Sequence, residues 1–420
     1  MLQVLESELA RVAALSVAQP TPVPAVKNAR GRLSCVRCGQ TAFATLPSGA
    51  RYCLSCVGMG RVTTGARLWR VPLAGVPQAG PLTWAGTLTP AQAQAAAAVQ
   101  TSVAAGRDHL LWAVTGAGKT EMLFPVIADA LAAGQRVAVV SPRIDVVREL
   151  APRLSAAFAG TPMTVLYGGL PWPGENAALV VATSHQMLRF YRHFGLMIID
   201  EVDAFPFSQT PALAYACRQA TDGPTVYLSA TPPTNLRRQA ARGQLARSFL
   251  PRRFHQHSLP VPRILRVATA GLPGRVPQAL WRCLAQARAA DRRALVFVPD
   301  TRWVAPLAAA ARAQGFAARG VHASDPAREA TVQAFRDHTF AVLVTTSILE
   351  RGVTIPRCAV IVLAAERAQF PASALVQMAG RAGRAAASPN DPVWYLAGHF
   401  TWAMAQALHE IRVMNRRGQP

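Results

Sequence analysis

The most informative segment of the chain is Leu110-Leu-Trp-Ala-Val-Thr-Gly-Ala-Gly-Lys-Thr120, where an apolar run passes into a glycine-rich turn. The run predicts a buried β-strand, and helical spacing from Glu121 to Ala133 predicts a helix that ends before Gly134. Strand, glycine loop and helix in this order are typical of the phosphate-binding loop, with Ala113 where the first glycine usually stands. The segment therefore predicts an α/β fold that binds a nucleoside triphosphate.

The residues of this loop have the chemistry that a triphosphate requires. Gly116 and Gly118 allow backbone N–H groups to face the phosphates, while Lys119 supplies a compact charge and Thr120 a hydroxyl for Mg²⁺. Lys119 is one of only two lysines in a chain with 44 basic residues, which indicates a role unsuited to the bulkier guanidinium. We therefore predict that the loop binds ATP and Mg²⁺. The predicted binding residues are Thr115, Gly116, Ala117, Gly118, Lys119 and Thr120.

Length and hydropathy indicate a protein that is not embedded in a membrane. At 420 residues the chain is long enough for roughly two or three domains. No apolar stretch reaches the roughly 18–20 residues that a membrane span requires, and the first residues lack the pattern of a signal peptide. We expect a cytoplasmic protein, which could still dock at the inner face of a membrane.

The chain is strongly basic, with 44 lysines and arginines against 21 acidic residues, a net charge of +23 and a pI near 11.3. A genome-wide composition bias would explain why arginine replaces lysine, but it would not explain the excess of bases over acids. The charge therefore favours a polyanionic partner, and nucleic acid first.

Four of the seven cysteines are close in sequence, as Cys35-x-x-Cys38 followed by Cys53-x-x-Cys56. Each pair places two thiolates on one side of a tight turn, and two such turns complete a tetrahedral site suited to Zn²⁺. Disulfide bonds are the competing interpretation, which a reducing cytosol disfavours. The three remaining cysteines are isolated in sequence, namely Cys217, Cys283 and Cys358. We expect them to be packed in the cores of the domains.

The sequence pattern changes along the chain. Residues 1–30 contain a helical stretch and a proline-rich linker, and residues 31–85 form the zinc module and an irregular connector. Beyond them, apolar strands alternate with amphipathic helices, which is typical of parallel sheets covered by helices. A basic, proline-punctuated segment at 237–262 is interpreted as the link between two such regions. We predict one α/β domain at 86–250 and a second at 251–420.

Short apolar runs predict the strands of both domains. In the first domain they are 110–114, 136–141, 163–167, 178–182, 196–200 and 225–229. In the second they are 263–267, 293–298, 318–321, 341–345, 359–364 and 393–397. The second domain contains no glycine loop of the phosphate-binding type, so the triphosphate is expected on the loop of the first.

A cluster of acids follows the predicted strand 196–200, in Asp200-Glu-Val-Asp203. Carboxylates at the carboxyl end of a strand beside a phosphate loop can hold Mg²⁺ and the attacking water. We predict that Asp200 holds the metal, that Glu201 polarises the water, and that Asp203 couples the site to the rest of the domain. Such a cluster could instead cap the following helix, but the upstream phosphate loop favours catalysis.

Three further motifs complete the predicted site. Leu228-Ser-Ala-Thr-Pro232 ends another predicted strand and offers two hydroxyls that could link hydrolysis to movement. Gln377-Met-Ala-Gly-Arg-Ala-Gly-Arg384 is predicted to place Arg381 and Arg384 on one face of a helix, reaching an interdomain cleft to stabilise charge on the transferring phosphoryl group. A solvated basic face is the alternative. Gln92 is predicted to read the adenine.

The order of these motifs over residues 86–400 resembles superfamily 2 helicases, and finer details resemble the ComFA family, the ATPases of bacterial competence. The supporting segments are the four-cysteine module, Ser141–Leu150, Thr183–Phe190, Asp200–Phe207 and Val321–Asp325. The helicase PriA has a similar motor, but its cysteines interrupt the second motor domain, whereas here they precede the first. The resemblance implies two RecA-like parallel-sheet motor domains preceded by a four-cysteine zinc module.

The resemblance also implies partners and further site residues. The implied partners are single-stranded DNA and competence DNA-uptake proteins, namely a membrane channel and cytoplasmic ComF-type proteins. The resemblance also allows self-association of this chain into an oligomer. Gly352 joins the predicted nucleotide-binding residues. The residues implied to line the DNA path, each of which could otherwise be a helix cap or a core hydroxyl, are Arg143, Thr183, His185, His322 and Thr346.

These features predict a DNA-dependent ATPase that moves along single-stranded DNA and drives uptake of transforming DNA. Its predicted catalytic residues are Lys119, Asp200, Glu201, Arg381 and Arg384. Three alternatives remain open: a PriA-like replication-restart 3'-5' DNA helicase, an RNA remodeller, and a non-hydrolysing scaffold that binds DNA. Intact catalytic residues disfavour the scaffold.

Overall fold

The chain divides by its internal contacts into two units in the structure, which is a computed structural model. The residues that it describes are 1–170, 176–349 and 355–418. The first unit comprises Met1–Trp112 and Lys119–Phe249, and the second comprises Ala113–Gly118 and Leu250–Pro420. Ala113–Gly118, which make up most of the glycine loop, therefore belong to the second unit. The domain boundaries given above stay a prediction.

The N-terminal region of the first unit contains one helix and short antiparallel strands. In chain order these elements are β1 (Leu2–Leu5), α1 (Glu6–Val12), β2 (Thr21–Pro24), β3 (Val26–Ala29), β4 (Arg32–Cys35), β5 (Phe43–Thr45), β6 (Arg51–Cys53) and β7 (Arg67–Val71). Strand β7 pairs with β1 and with β2, while β3–β4 and β5–β6 form two hairpins. The predicted proline-rich linker thus contains strand β2, whose prolines are tolerated because β2 is an edge strand. The predicted irregular connector contains β7.

The rest of the first unit is built around a parallel sheet. Its elements are α2 (Pro90–Ala104), β8 (His109–Ala113), α3 (Phe124–Ala132), β9 (Val137–Ser141), α4 (Ile144–Ala157), β10 (Met163–Leu166), β11 (Leu179–Thr183), β12 (Leu196–Ile199), α5 (Pro211–Ala220), β13 (Thr225–Ser229), α6 (Thr234–Ala241) and β14 (Ala246–Leu250). The strand order is β10-β11-β9-β12-β13-β8-β14. Crossover connections between parallel strands account for this order, and the predicted α/β sheet is confirmed.

One local prediction in this region is wrong, and another is confirmed with a different first turn. The segment 237–262 is not simply a link, because Ala246–Leu250 forms β14 at the edge of the sheet, next to β8. Arg247 and Ser248 interrupt its apolar residues, and this interruption and its partial exposure hide the strand from a search for buried apolar runs. The predicted helix from Glu121 to Ala133 begins as the 3-10 turn Glu121–Leu123, and the α-helix starts only at Phe124.

The second unit contains another parallel sheet. Its elements are β15 (Arg263–Arg266), α7 (Gln278–Ala289), β16 (Arg293–Phe297), α8 (Val304–Ala313), β17 (Ala318–Val321), α9 (Arg328–Arg336), β18 (Val342–Thr345), β19 (Cys358–Leu363), α10 (Ala372–Ala379), β20 (Val393–Ala397) and α11 (Trp402–Arg417). The strand order is β15-β20-β19-β16-β18-β17, and all neighbouring strands are parallel. This sheet too is confirmed.

Near-continuous apolar sequence explains why the central strands are buried on both faces. Val137–Ser141 and Cys358–Leu363 are buried at every position, as parallel strands covered by helices require. Cys217, Cys283 and Cys358 lie in these cores, as expected. Within the part of the chain that the structure describes, no helix has both the length and the apolar character to cross a membrane.

The cysteine module shares one hydrophobic core with the first parallel sheet. Buried Cys35 and Cys38 belong to the same cluster of side chains as Leu110 of β8. Gly39 has a φ of +73°, and a Cβ at this position would lie 2.5 Å from the ring of Tyr215 in α5. The turn after Cys38 therefore requires glycine both for its backbone conformation and for its close approach to α5.

Candidate functional site

The glycine loop leaves β8 in a tight curl. Gly116 and Gly118 have φ values of +81° and +72°, the left-handed region that glycine adopts without steric cost. The N–H of Val114 donates to the carbonyl of Leu250 (3.0 Å), and that of Ala117 donates back to Val114 (3.2 Å). The hydroxyl of Thr115 is buried and has no hydrogen-bond partner among the described residues. The loop is thus a tight turn with glycine at both left-handed positions, and its role in phosphate binding stays a prediction.

The predicted acids follow β12 at its carboxyl end. The N–H of Asp200 donates to the carbonyl of Val140 in β9 (2.7 Å), and the Oδ1 of Asp200 accepts from the N–H of Glu201 (2.9 Å). Glu201 has a φ of +56°, a conformation that a glutamate rarely adopts. Such backbone conformations are concentrated at functional sites, where they direct a side chain.

Asp203 joins the two hydroxyls of the motif at the end of β13. Ser229 donates to one carboxylate oxygen of Asp203 (2.5 Å), and Thr231 donates to the other (2.7 Å). The N–H of Thr231 in turn donates to the hydroxyl of Ser229 (2.9 Å). We call these three residues the acid–hydroxyl cluster. It connects the chain after β12 to the chain after β13, which are neighbouring strands.

The predicted placement of Arg381 and Arg384 on a helix is wrong. Helix α10 ends at Ala379, and residues 380–384, which we call the arginine turn, lie beyond it. Gly383 has a φ of +66°, which takes the chain out of the helical path, and Arg384 Nε donates to the carbonyl of Gly380 (2.8 Å). Gly380, directly after the helix, and Gly383, between the two arginines, are the physical reason for this turn. Arg381 is buried.

The arginine turn packs against the glycine loop within the second unit. A Cβ added to Gly380 would lie 2.0 Å from the Oγ1 of Thr115, so no larger residue fits without displacing one of the two segments. A Cβ added to Gly116 would lie 3.5 Å from Nη1 of Arg384. A predicted phosphate-binding residue and a predicted catalytic arginine are therefore close together.

Arg253 is a residue of this region that sequence reasoning missed. Its guanidinium is buried and donates from Nη1 to the carbonyl of Gly383 and from Nη2 to the carbonyl of Gly380 (3.5 Å). Its Cγ would lie 3.7 Å from a Cβ on Gly116. Burial lowers the pKa of Arg253 to about 10. In sequence, Arg253 is one of several arginines in a basic, proline-punctuated segment, and no signal separates it from its neighbours.

Gln92 forms a capping box at the start of α2, and its role in reading the adenine stays a prediction. Thr89 is the N-cap of α2, and its backbone N–H donates to the Oε1 of Gln92 (2.8 Å). The N–H of Gln92 in turn reaches the hydroxyl of Thr89 (3.4 Å), which completes a capping box. The Gln92 carboxamide is buried and stabilises the start of α2. Gly352 lies outside the described residues.

The residues implied to line a DNA path lie after neighbouring strands within each sheet. In the first sheet, Arg143 follows β9, Thr183 ends β11, and His185 lies in the 3-10 turn after β11. In the second, His322 follows β17 and Thr346 follows β18. The carboxyl ends of neighbouring parallel strands lie on one edge of a sheet. Each sheet therefore brings its own members of this set to that edge.

The four cysteines of the module come together as predicted. Their sulfur atoms all lie within 4.8 Å of one another, with Cys35–Cys56 at 3.7 Å and Cys38–Cys53 at 3.5 Å. All four are buried. Hydrogen bonding within the cluster, chiefly with Cys35, lowers the pKa of Cys53 and raises the pKa of Cys38. We call this set the cysteine cluster, and it is capable of binding a metal ion.

Arg37, which sequence reasoning missed, holds the two cysteine turns together. Its guanidinium is buried and donates from Nη2 to the carbonyls of Cys56 (2.7 Å) and Gly60 (2.5 Å). Nη1 donates to the carbonyl of Met59 (2.7 Å). Because Arg37 lies between Cys35 and Cys38, these bonds tie the first turn to the second.

Two helicase families match the chain in the region of the two sheets. Residues 89–239 match the DEAD/DEAH box helicase family, and residues 276–386 match the helicase conserved C-terminal domain family. Among solved structures, S. cerevisiae Dbp5 bound to RNA and ADP BeF3 superimposes with a TM-score of 0.57 at 16% sequence identity. The match covers 78% of this chain and 92% of Dbp5. At this identity the likeness establishes the fold alone.

Two relatives that match over most of this chain are both named competence protein ComFA. Competence protein ComFA of Bacillus subtilis is 41% identical over 397 residues, covering 91% of this chain and 86% of that protein. Competence protein ComFA of Streptococcus pneumoniae is 35% identical over 407 residues, covering 94% and 93%. Replication restart protein PriA of Synechocystis is 29% identical over 239 residues, covering 50% of this chain and 28% of PriA. This chain therefore belongs to the ComFA family, and its two parallel-sheet domains are RecA-like domains of the helicase type.

Proposed function

We propose that the chain is an ATP-driven motor that moves along single-stranded DNA during the uptake of transforming DNA. The observation that carries this proposal is the glycine loop after β8, with its two left-handed glycines and the arginine turn packed against it. The competence role is supported by the name of the relatives that match over most of their length. Competence uptake proteins are the partners that this role implies.

The residues around the loop have distinct roles in this proposal. Lys119 and the backbone N–H groups of the loop bind the β- and γ-phosphates, while Thr120 and Asp200 provide oxygen ligands for Mg²⁺. When bound, Mg²⁺ neutralises charge on the phosphates. Glu201 orients the attacking water, and Arg381 and Arg384 stabilise the charge on the transferring phosphoryl group.

The acid–hydroxyl cluster would transmit the state of the nucleotide to the rest of the sheet. Asp203 is three residues beyond the proposed metal ligand Asp200, and it is hydrogen-bonded to both Ser229 and Thr231. A displacement of the chain at Asp200 therefore pulls on the segment after β13. This link gives the coupling role predicted for Asp203 a physical basis.

The polar residues at the carboxyl edges of the two sheets would contact the DNA strand. Arg143 is half-buried and retains an ion pair with Asp145 (3.5 Å), which orients its guanidinium. Phosphate contacts of this kind bind DNA without reading its sequence. A net charge of +23 supports such binding. The proposed motor would therefore accept strands of any sequence.

We infer that the cysteine cluster binds Zn²⁺. A tetrahedral zinc with Zn–S bonds of about 2.3 Å separates its sulfur ligands by about 3.8 Å. The sulfur atoms of Cys38 and Cys53 are 3.5 Å apart, and those of Cys35 and Cys56 are 3.7 Å apart. The zinc would be structural, because four protein ligands leave no position for a substrate. Arg37 would stabilise the ligand set by holding both turns in place.

A duplex-unwinding helicase of the PriA type is a second candidate, favoured by the similarity to PriA over half of the chain. The two functions differ in a measurable product. A helicase releases the complementary strand from a forked duplex in the presence of ATP, whereas a translocase on single strands hydrolyses ATP without releasing it. Strand displacement would move the assignment to the PriA type.

ATP hydrolysis by the full-length chain tests the proposal, with single-stranded DNA, duplex DNA, RNA or no nucleic acid. We expect single-stranded DNA to give the strongest stimulation, and the stimulation to fall as salt rises from about 50 to about 200 mM. Lys119→Ala should lose at least about a hundredfold in kcat, because it removes a charge that stabilises the transition state.

Lys27→Ala is the matched control, because Lys27 is exposed in β3 and is the other lysine of the chain. It should hydrolyse ATP at the rate of the unmodified protein. Full activity in Lys119→Ala would overturn the assignment of the phosphate site. Stimulation mainly by RNA would assign the chain to RNA remodelling, and no hydrolysis under any condition would favour the scaffold.

A further inference from the structure

We propose that Arg253 is a positioning residue that holds the arginine turn against the glycine loop, so that Arg381 and Arg384 are in place when the γ-phosphate is transferred. This inference rests on the proposed ATPase function and adds to it a residue that neither the helicase motifs nor the sequence pattern identifies. Arg253 follows the edge strand β14 by three residues.

The hydrogen bonds of Arg253 go to the backbone of the arginine turn. Nη1 donates to the carbonyl of Gly383, and Nη2 donates to the carbonyl of Gly380 (3.5 Å). Both acceptors are glycines that flank Arg381 in sequence. The guanidinium therefore fixes the backbone on both sides of this arginine, without occupying the position of either catalytic side chain.

The same side chain reaches the glycine loop. Its Cγ would lie 3.7 Å from a Cβ on Gly116, and Nη1 of Arg384 would lie 3.5 Å from that atom. Arg253 and Arg384 thus approach Gly116 together. The two residues after Arg253 repeat the pattern: the N–H of Phe254 donates to the carbonyl of Gly116 (3.0 Å), and Nε2 of His255 donates to the carbonyl of Gly383 (3.2 Å).

The burial of the Arg253 guanidinium costs free energy, because it removes a charged group from water. The side chain is only 1% exposed, and its hydrogen bonds within the described part of the chain go to carbonyl oxygens rather than to a carboxylate. Its Nε has no hydrogen-bond partner there. The buried carboxylate of Asp391, which accepts from the N–H of Gly383 (3.2 Å), attracts this charge, but burial outweighs the attraction and lowers the pKa of Arg253. The charge at position 253 is explained by its two hydrogen bonds to the arginine turn, which hold that turn in place.

This geometry predicts a selective defect when the charge is removed. Binding of ADP depends on the N–H groups of the glycine loop and on Lys119, whereas the hydrogen bonds of Arg253 go to the carbonyls of the arginine turn. Stabilisation of the transferring phosphoryl group depends on where the arginine turn lies. A neutral side chain at 253 should therefore spare ADP affinity and weaken the binding of ADP–aluminium fluoride, which imitates the transferring group.

The test compares Arg253→Gln, Arg253→Lys and the control Arg252→Gln in the full-length chain. Arg252 is the neighbouring arginine, is only half-buried, and lies near Gly418 rather than the arginine turn. For each protein we would measure affinity for ADP and for ADP–aluminium fluoride, kcat and KM for ATP, and the melting temperature.

Arg253→Gln should lose at least about tenfold in kcat and in preference for ADP–aluminium fluoride over ADP, because misplaced arginines no longer contact the transition state. Its ADP affinity should stay within about threefold. Arg253→Lys should be intermediate, since an ammonium can reach one carbonyl. Arg252→Gln should match the unmodified protein.

Two results would overturn the inference. The first is a preference for the aluminium fluoride complex in Arg253→Gln equal to that of Arg252→Gln. The second is a parallel loss of ADP affinity, kcat and melting temperature, which would make Arg253 merely structural. If the unmodified chain itself neither binds ADP nor hydrolyses ATP, the proposed function fails first, and the control variants reveal that failure separately.

Discussion

The cysteine cluster and the acid–hydroxyl cluster both gather polar side chains from two nearby stretches of the first unit, but their internal bonding differs. In the acid–hydroxyl cluster, each oxygen of Asp203 accepts from a hydroxyl at 2.5 or 2.7 Å, so its members satisfy one another. In the cysteine cluster, four buried thiols lie within 4.8 Å of one another. Thiols are weak donors and weak acceptors, so their mutual contacts stabilise little.

This difference in bonding distinguishes a cluster that binds a ligand from a cluster that only connects two segments of the chain. A cluster whose members cannot satisfy one another needs a ligand, and four convergent sulfurs suit a tetrahedral metal ion. A cluster that is already hydrogen-bonded gains little from a ligand and instead connects the segments that carry it. Polar residues close in space therefore indicate binding only when their bonding is incomplete.

The largest effect should follow from breaking the cysteine cluster. Cys53→Ser removes one sulfur ligand, so bound zinc should be lost and the module destabilised by several kcal/mol, since metal binding contributes to folding free energy. Zinc content and thermal unfolding measure this. Cys217→Ser is the control, because Cys217 is also buried but isolated. Retention of one zinc per chain in Cys53→Ser would refute the assignment of the cysteines as ligands.

A smaller effect should follow from Asp203→Asn, which keeps the shape of the side chain but replaces one acceptor oxygen with a donor. One hydroxyl of the acid–hydroxyl cluster then loses its partner, at a cost of about 1–3 kcal/mol in the free energy of unfolding. ATP affinity should be unchanged, while stimulation of hydrolysis by DNA should fall.

Chemical denaturation and ATPase assays measure the two consequences of Asp203→Asn. The matched variant is Asp222→Asn, because Asp222 pairs with Arg192 on an exposed surface (3.4 Å). It should be close to neutral. Normal DNA stimulation in Asp203→Asn would show that the cluster does not couple the site to movement.

The smallest effect concerns His109, a buried side chain whose two ring nitrogens both have hydrogen-bond partners within the protein. Its Nδ1 is bonded to the hydroxyl of Ser102 (2.9 Å) and its Nε2 to that of Ser248 (3.0 Å), and burial lowers its pKa to about 4. The unfolded chain binds the proton more readily, so stability should fall as pH drops from about 6.5 to about 4.

The slope contributed by His109 should be at most about 1.4 kcal/mol per pH unit. His109→Asn should remove this slope from the pH dependence of the unfolding free energy. His409→Asn, at an exposed position of α11, should leave it unchanged. An identical slope in His109→Asn and the unmodified protein would show that His109 is not the titrating group.

The sequence predicts the features that depend on neighbours along the chain. Buried strands such as Thr225–Ser229, the glycine loop and the paired cysteines are each recognisable within a short segment, because periodicity or spacing is set locally. The edge strand Ala246–Leu250 is not recognisable in this way because it is partly exposed and because Arg247 and Ser248 interrupt its apolar residues. The spacing of the arginines in the arginine turn fits a helix, so the sequence alone predicts a helix there.

The features that sequence reasoning missed depend on contacts between distant segments. Arg253 and Gly383 are 130 residues apart, and nothing near Arg253 in sequence distinguishes it from Arg252. Only the folded arrangement determines which of these side chains is engaged, and with what.

Streptavidin displacement tests most directly whether ATP hydrolysis drives movement of the protein along single-stranded DNA. The full-length chain would be mixed with single-stranded DNA that carries biotin at one end and is blocked by streptavidin. We predict that ATP causes release of streptavidin by the unmodified protein and by Lys27→Ala, but not by Lys119→Ala. Hydrolysis of ATP stimulated by DNA, without release of streptavidin from either end, would contradict the account.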